Sequence, residues 1–303
     1  MIWVTGNVDG KKYKEPFSKG IMSRSLNVAD IGIERAHKIA SDIEDELIKN
    51  NISEISSKDL ADFVLNHLEN VDTKIAVKYK NWRSIRTSQK PLIILIGGAS
   101  GVGTSSMAFE LANRLRLKNL ISTDMIREVM RKIVSKDLSP VIHKSSFNAH
   151  ESIRIPSIRI DPVIEGFISH VDVVNVGIEA IIERSVKEGI STIIEGVHIV
   201  PGFIRKDLIE NNNIIIFILT VDDEESHKQR FYSRCRQPWV KRPLERYMDN
   251  FATIRKTQDF LVEQAKINDT RVINNVDINE TIDLMVGDIL EKFVGAKNVE
   301  QES

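Results

Sequence analysis

Cysteine is almost absent from this sequence. Cys235 is the single cysteine among 303 residues, so no disulfide can form within the chain. This excludes a fold held together by disulfides and leads us to expect a reducing, cytoplasmic location. The first residues, Met1-Ile-Trp-Val-Thr-Gly, lack the basic and apolar stretches of a signal peptide. No apolar run is long enough to cross a bilayer, so we expect no membrane partner.

An excess of charge of either sign is also missing. Lys and Arg number 42 against 43 Asp and Glu, which gives a formal net charge of -1. A chain whose bulk binds nucleic acid would be basic, so no nucleic-acid partner is expected. Aromatic residues make up only 6%, whereas hydrophobic residues make up 42% and are carried by Ile, Val and Leu. That composition favours a globular core built on a buried sheet.

The chain divides at a polar segment that ends in proline, Thr87-Ser88-Gln89-Lys90-Pro91. We interpret it as a linker between domains 1–88 and 91–303. In the first domain, an Asp-Gly pair at residues 9–10 predicts a β-hairpin. Apolar residues at helical spacing predict three helices, around residues 29–50, 60–68 and 74–86, and a capping box at residues 56–59. The first domain is therefore expected to be small and mainly helical.

In the second domain, short apolar runs alternate with helical segments. The predicted strands are 92–96, 119–122, 192–195, 214–220 and 271–275, and the predicted helices are 104–117, 124–134, 171–188, 223–236, 244–266 and 279–293. This alternation predicts an α/β fold, a three-layer sandwich with a five-stranded parallel sheet of the P-loop NTPase type. The polar stretch 135–170 is expected to be irregular and to shape an acceptor pocket.

A glycine-rich loop lies between the first of these strands and its helix. Its spacing, Gly98-x-x-x-x-Gly103-x-Ser105, matches the Walker A pattern. Glycines let backbone N–H groups turn toward phosphate, and the helix start adds partial positive charge. The alternative is a glycine turn that binds nothing. We expect the phosphates of a nucleotide to bind the loop residues Gly98, Ala99, Ser100, Gly101, Val102, Gly103, Thr104 and Ser105.

Thr104 stands where the Walker A pattern has lysine, so the usual cation for the β- and γ-phosphates must come from elsewhere. Ser105 is expected to contact Mg²⁺, although Thr104 would do so if the lysine is read as deleted. Glu195, at the end of a predicted strand, is the second expected metal residue. Arginines of the basic run 228–246, Arg230 and Arg234 above all, are predicted to close as a lid and supply the cation. The alternative for this run is a solvated helix face.

Asp124 follows the second strand, at the sheet edge where ligands bind in parallel α/β folds. It is expected to accept the proton of an attacking hydroxyl, and the alternative is a plain helix cap. Arg127 and Arg131 lie one helical turn apart and are expected to hold a carboxylate or phosphate of the acceptor. His198 is a further candidate for substrate contact, with a buried, hydrogen-bonded group as its alternative.

Residues 91–290 resemble the archaeal 2-phosphoglycerate kinases. The segments that carry the resemblance are 97–105, 122–128, 145–147, 194–198, 201–202 and 254–258. A lysine-free loop ending in Gly-Thr-Ser is typical of that family. The resemblance implies phosphoryl transfer from ATP, with Mg²⁺, to 2-phosphoglycerate. The implied product is 2,3-bisphosphoglycerate, the precursor of cyclic 2,3-bisphosphoglycerate.

The first domain resembles the ATP-cone, a small nucleotide-binding regulatory module. The matching pieces are residues 9–10, 15–21, 36–40 and 76–79. ATP-cones usually carry Lys-Arg before the Asp-Gly turn, and this chain has Asn7-Val8 there. Nucleotide binding and a structural or oligomerising role both stay open for this domain, as does a homo-oligomeric form of the protein.

Two other functions also fit these residues. One is a kinase of the same fold that acts on another small molecule or on a tRNA-linked acceptor. The other is a nucleotide sensor without catalytic activity. The near-neutral charge and the few aromatic residues favour a small-molecule substrate over tRNA.

Overall fold

The structure, a computed structural model, describes residues 1–8, 10–27, 31–86, 90–153, 155–210, 213–236 and 243–300. It divides into two units, residues 1–88 together with 290–303, and residues 89–289. The domain bounds predicted from the sequence, 1–88 and 91–303, stay a prediction. Parts of the predicted features lie outside the described ranges: Asp9 of the Asp-Gly pair, the linker residues 87–89, residue 154 of the polar stretch and residues 237–242 of the basic run.

The N-terminal unit combines a small sheet with helices. Strands β1 (Trp3–Val8) and β2 (Lys11–Pro16) pair antiparallel, which confirms the predicted hairpin. A third strand, β3 (Glu54–Ser56), pairs parallel with β1 and was not predicted. The helices are α1 (Lys19–Asn27), α2 (Ile33–Lys49), α3 (Ser57–Val71) and α4 (Thr73–Arg86).

Ser56, the first residue of the predicted capping box, is the N-cap of α3. The Ser56 side chain accepts a hydrogen bond from the Asp59 backbone N–H at 3.0 Å, which satisfies one of the unpaired donors of the first turn. Fully buried side chains from α2 and α3 then form the core of this unit, among them Ile43, Leu47 and Leu68.

The second unit is built on five parallel strands, as predicted. They are β4 (Ile93–Gly98), β5 (Asn119–Ser122), β6 (Thr192–Glu195), β7 (Ile214–Thr220) and β8 (Arg271–Asn274). Their order across the sheet is β5-β6-β4-β7-β8, and each neighbouring pair is parallel. Because parallel strands end at the same edge, the residues that follow β4, β5 and β6 lie close together.

Helices lie between these strands, and a last helix follows β8 and continues into the residues grouped with the N-terminal unit. They are α5 (Thr104–Leu115), α6 (Thr123–Ile133), α7 (Pro162–Glu188), α8 (Lys206–Glu210), α9 (Glu224–Cys235), α10 (Leu244–Met248), α11 (Phe251–Ile267) and α12 (Ile278–Glu300). None of the helices, over the described residues, is long and apolar enough to span a membrane.

Two helices differ from the prediction. α7 begins at Pro162 rather than near residue 171, so the end of the stretch expected to be irregular is helical. The Asp161 side chain accepts a hydrogen bond from the Val163 N–H at 2.8 Å, and proline at the first helical position is well suited to this start. The helix expected over 244–266 is broken into α10 and α11 at Asp249-Asn250.

Helices cover both faces of the sheet. Ile93 and Leu95 of β4 pack in one cluster with Val174 and Ile178 of α7. The intervening Ile94 is equally buried, and because side chains alternate along a strand it points to the opposite face. There α5 contacts β4 and β6 and buries Met107, Ala108 and Leu111. The three-layer arrangement predicted from the sequence is therefore present.

Truncation of Ile178 to alanine tests this packing. Ile178 is fully buried between α7 and the sheet, so we expect Ile178→Ala to lower the free energy of unfolding by about 2–5 kcal/mol. Val176 on the same helix is 66% exposed, and Val176→Ala is expected to change it by less than about 0.5 kcal/mol. Urea unfolding curves measure both. Equal losses for the two variants would contradict this description of the core.

Candidate active site

The glycine-rich loop has a conformation that two of its glycines require. Gly101 has φ 90° and Gly103 has φ 97°, both in the left-handed region that other residues rarely adopt. A Cβ atom at Gly101 would lie 2.5 Å from Cζ of Phe231, and one at Gly103 would lie 2.9 Å from the Asn275 side-chain nitrogen. Gly103 is the N-cap of α5, so the loop leads directly into a helix start.

Side chains outside the loop hydrogen-bond its carbonyl groups. The Val102 carbonyl accepts from Nη1 of Arg230 at 2.7 Å and from Nδ2 of Asn275 at 2.8 Å. Nε2 of His227 lies 2.8 Å from the Ser100 carbonyl oxygen. Because a carbonyl can only accept, Nε2 carries the proton, and burial lowers the pKa of His227, which keeps the ring neutral. The loop therefore has partners within the protein for two of its carbonyl groups.

Arg230 was expected in a lid over the phosphates, and the structure places it against the backbone of the glycine-rich loop. Its Nη1 donates to Val102, its Nη2 donates to the Asn275 carbonyl, and it does not line the cavity beside the loop. Burial lowers the pKa of its guanidinium. The structure therefore brings Arg230 to the loop backbone, and its role as a lid cation stays a prediction.

A cavity of about 190 Å³ lies at the carboxyl ends of β4, β5 and β6. Its walls come from the loop, the start of α6, the segment 145–147, and helices α9 and α10. The lining residues are Gly98, Ala99, Ser100, Gly101, Thr104, Ser105, Ser122, Asp124, Arg127, Ser145, Ser146, Phe147, Glu195, Gly196, Val197, Arg234, Arg246 and Tyr247.

The predicted metal residue Glu195 contacts Thr104. The Thr104 hydroxyl donates to Oε2 of Glu195 at 2.7 Å, and Glu195 is buried at the end of β6. Ser105, the other candidate, also lines the cavity, and which of the two hydroxyl groups contacts Mg²⁺ stays a prediction. No group of three or more His, Cys, Asp or Glu suited to a metal occurs among the described residues. A hydroxyl and one carboxylate fit Mg²⁺, which keeps several waters and binds substrate oxygens.

Asp124 and Arg127 meet in the cavity as expected. Ser122, not Asp124, caps α6, since the Ser122 side chain accepts from the Asp124 N–H at 3.3 Å. The exposed Asp124 carboxylate lies 3.6 Å from Nε of Arg127. Nη1 of Arg127 donates to the Lys144 carbonyl at 2.6 Å, which orients the guanidinium. Burial lowers the pKa of Arg127, while the neighbouring Asp124 opposes that shift.

Arg131 and His198 are not among the residues that line the cavity. Nη1 of Arg131 donates to Glu128 at 2.8 Å. His198 is fully buried, and its Nδ1 lies 2.8 Å from the Thr123 hydroxyl. Burial lowers the pKa of His198 to about 3, with Arg127 adding to the shift. These contacts agree with the alternative considered for His198, a buried structural group.

The structure adds one cavity arginine, Arg246, that the sequence analysis did not single out, and it places Arg234, which the analysis did name, in the same cavity. Arg246 of α10 donates to the Ser145 hydroxyl, and its guanidinium lies 5.7 Å from the centre of the Phe147 ring. Arg234 lines the same cavity and has no hydrogen-bond or ion-pair partner within the described part of the chain. Arg246 belongs to the basic run and Ser145 to the stretch expected to shape the acceptor pocket. A regional signal was present, therefore, but it could not select the individual residues.

Comparison with known proteins assigns the chain to a family. A 2-phosphoglycerate kinase of Methanothermobacter thermautotrophicus is 53% identical over 304 residues, which cover 99% of each chain. Another from Methanopyrus kandleri is 45% identical over 95% of this chain and 88% of its own. The chain belongs to the 2-phosphoglycerate kinase family. In addition, the ATP cone domain family matches residues 8–88, as the sequence predicted.

Solved structures show a weaker likeness to this member of the 2-phosphoglycerate kinase family. A shikimate kinase from Acinetobacter baumannii, in complex with shikimate, is 15% identical with a TM-score of 0.38. The match covers 71% of this chain and 98% of that one. A likeness at this level adds nothing to the assignment.

A buried histidine pair next to the site predicts a pH effect on stability. Burial, with His198 and Arg127 adding to it, lowers the pKa of His170 from 6.5 to about 2, and neither of its ring nitrogens has a hydrogen-bond partner. The unfolded chain takes up a proton below pH 6.5 and the folded protein does not. This contribution to stability is therefore complete above pH 6.5 and is lost as the pH falls below it.

His170→Leu removes this titration. Between pH 6 and pH 4, the free energy of unfolding falls with the pH in both proteins. We expect this fall to be smaller in the variant than in the unsubstituted protein, by about 1.4 kcal/mol for each pH unit. Above pH 7 the difference between the two proteins should be constant. Urea unfolding across this range measures both slopes, and equal slopes would contradict a neutral buried His170.

Proposed function

We propose that this protein transfers the γ-phosphoryl group of ATP to the 3-hydroxyl of 2-phosphoglycerate, giving 2,3-bisphosphoglycerate. The observation that carries the proposal is the identity of 53% over 99% of the chain to a 2-phosphoglycerate kinase. The cavity supports the proposal, because the phosphate loop lies on one side of it and Asp124, with Arg127 and Arg246, lies on the other. The product would feed the synthesis of cyclic 2,3-bisphosphoglycerate.

Backbone N–H groups of residues 98–105 and the start of α5 bind the phosphates of ATP. These groups form hydrogen bonds and carry partial positive charge, so they suit an anion without a lysine. Thr104 and Glu195 would hold Mg²⁺ together with water and phosphate oxygens. When bound, the ion would supply positive charge that offsets the negative charge developing during phosphoryl transfer.

Asp124 acts on the acceptor hydroxyl. Its carboxylate lines the cavity and is exposed, so a hydroxyl can reach it and be oriented or deprotonated. Arg127 and Arg246 bind the carboxylate and the phosphate of the acceptor. Both guanidinium groups are already oriented, by the Lys144 carbonyl and by the Ser145 hydroxyl respectively, so less side-chain freedom is lost on binding.

Arg234 supplies the cation that the loop lacks. It lines the cavity, whereas Arg230 is engaged by the loop backbone. Its lack of a protein partner among the described residues leaves its guanidinium available to an anion. An arginine near the transferring group stabilises the charge of the transition state, which is the usual role of the missing lysine.

A coupled assay of ADP release tests the proposed function. We expect ADP release from ATP to depend on 2-phosphoglycerate and to be far slower with 3-phosphoglycerate or glycerate. Asp124→Asn should lower kcat by about 10²–10⁴-fold, because the hydroxyl loses its base, while ATP binding is kept. Asp137→Asn, an exposed site outside the cavity, is the matched control. ADP release that does not depend on 2-phosphoglycerate would contradict the proposal, and full activity of Asp124→Asn would contradict the role of Asp124.

Thr104→Val and Ser105→Ala separate the two candidate Mg²⁺ ligands. Thr104→Val removes the hydroxyl bonded to Glu195 and keeps the branched shape, so we expect kcat at limiting Mg²⁺ to fall by about a hundredfold. Ser105→Ala should change it by less than about fivefold, since the Ser105 side chain is exposed and makes no hydrogen bond to Glu195. Titration with Mg²⁺ measures both effects. The opposite order would identify Ser105 as the ligand.

A further inference from the structure

Four aromatic rings form a continuous stack beside the cavity. His227 and Phe231 of α9 stack with ring centres 5.4 Å apart and an angle of 20° between their planes. Tyr247 of α10 stacks on Phe231 at 4.7 Å and 19°. Phe147 meets Tyr247 at 6.0 Å and 57°. All four rings are buried, so water does not separate them. We call these residues, His227, Phe231, Tyr247 and Phe147, the aromatic stack.

One end of the aromatic stack touches the phosphate loop. Nε2 of His227 donates to the Ser100 carbonyl, and the Phe231 ring occupies the space beside Gly101 that a Cβ atom would need. Phe251 and Arg255 support His227 from the other side, with an edge-to-face ring contact at 5.4 Å and a guanidinium 3.5 Å from Nδ1. A shift of the His227 or Phe231 ring would therefore move the loop backbone.

The other end of the aromatic stack lies at the acceptor side of the cavity. Phe147 directly follows Ser145 and Ser146, both of which line the cavity. Arg246 precedes Tyr247 in α10, lies over the Phe147 ring and donates to Ser145. An anion that binds Arg246 would therefore affect the positions of the Phe147 and Tyr247 rings, which lie nearest to it.

We propose that the aromatic stack couples acceptor binding to the phosphate loop, with Tyr247 as its central positioning residue. An acceptor on Arg246 fixes α10 and Tyr247, which keeps Phe231 in its place against Gly101 and holds the loop in the conformation that binds the phosphates of ATP. Closely packed rings transmit displacement because the interior has no space to absorb it. The coupling is reciprocal, so bound nucleotide also favours acceptor binding. The inference rests on the proposed function, since it takes Arg246 as an acceptor contact.

Calorimetric titration of the full-length protein tests the coupling. The probe is a non-hydrolysable ATP analogue with Mg²⁺, titrated with and without saturating 2-phosphoglycerate. In the unsubstituted protein we expect 2-phosphoglycerate to lower the Kd of the analogue by about tenfold. The coupling ratio is the Kd of the analogue without 2-phosphoglycerate divided by its Kd with 2-phosphoglycerate. In Tyr247→Leu this ratio should fall to within about twofold of one, while the Kd without acceptor stays within about threefold of the value for the unsubstituted protein. A merely structural role of Tyr247 would weaken both Kd values alike.

Three further variants complete the test. Tyr247→Phe keeps the ring and should keep the ratio. Tyr232→Leu, at a 41% exposed tyrosine of α9 outside the aromatic stack, is the matched control and should also keep it. Phe147→Leu interrupts the aromatic stack at its acceptor end and should bring the ratio close to one, as Tyr247→Leu does. A ratio near one in the unsubstituted protein, or an unchanged ratio in both Leu variants, would overturn the coupling. Failure of both Leu variants to fold would make the stack structural and overturn it as well.

Turnover of the unsubstituted protein separates this inference from the proposed function. ADP release that depends on 2-phosphoglycerate, without any effect of 2-phosphoglycerate on the Kd of the analogue, overturns the coupling alone. Absence of that ADP release overturns the proposed function and the coupling with it.

Discussion

The hydrogen bonds to the carbonyl groups of the phosphate loop are the interactions on which the site depends. A loop that presents N–H groups to phosphate must find partners for its carbonyls, because an unpaired buried carbonyl is costly. Here His227, Arg230 and Asn275 donate to the carbonyls of Ser100 and Val102. These donors come from α9 and from the residue after β8, so the hydrogen bonds of the loop require both elements to be in place.

The parallel sheet then determines which side chains share the cavity. β5 and β6 pair in register, with Ser122 opposite Glu195, so the candidate base Asp124 and the candidate metal residue Glu195 leave the same edge side by side. The loop after β4 lies on the other side of Glu195, and Thr104 hydrogen-bonds that carboxylate. The phosphate loop, the candidate metal residues and the candidate base thus meet because three neighbouring strands end together.

Much of this arrangement was predictable from local patterns. Short apolar runs with turn signals at their ends located all five strands, and the central strands β4 and β7 are buried over nearly their whole length. The Walker A spacing located the loop, because the local backbone conformation, with positive φ at Gly101 and Gly103, itself requires glycine. The break between α10 and α11 was missed, since Asp249-Asn250 is a weaker turn signal than proline or glycine. The early start of α7 was missed although Asp161-Pro162 carries a helix-start signal.

By itself, the amino-acid sequence determined the fold class, the phosphate loop, and the candidate base and metal carboxylate at the ends of strands. These features depend on periodicity and spacing within a few residues. Only the tertiary structure decided which basic residues enter the cavity. Arg230 is bound to the loop, Arg131 to Glu128, and Arg246 reaches the acceptor side. The choice depends on partners far away in the sequence, such as Val102 for Arg230 and Ser145 for Arg246, and no local pattern of charges contains that information.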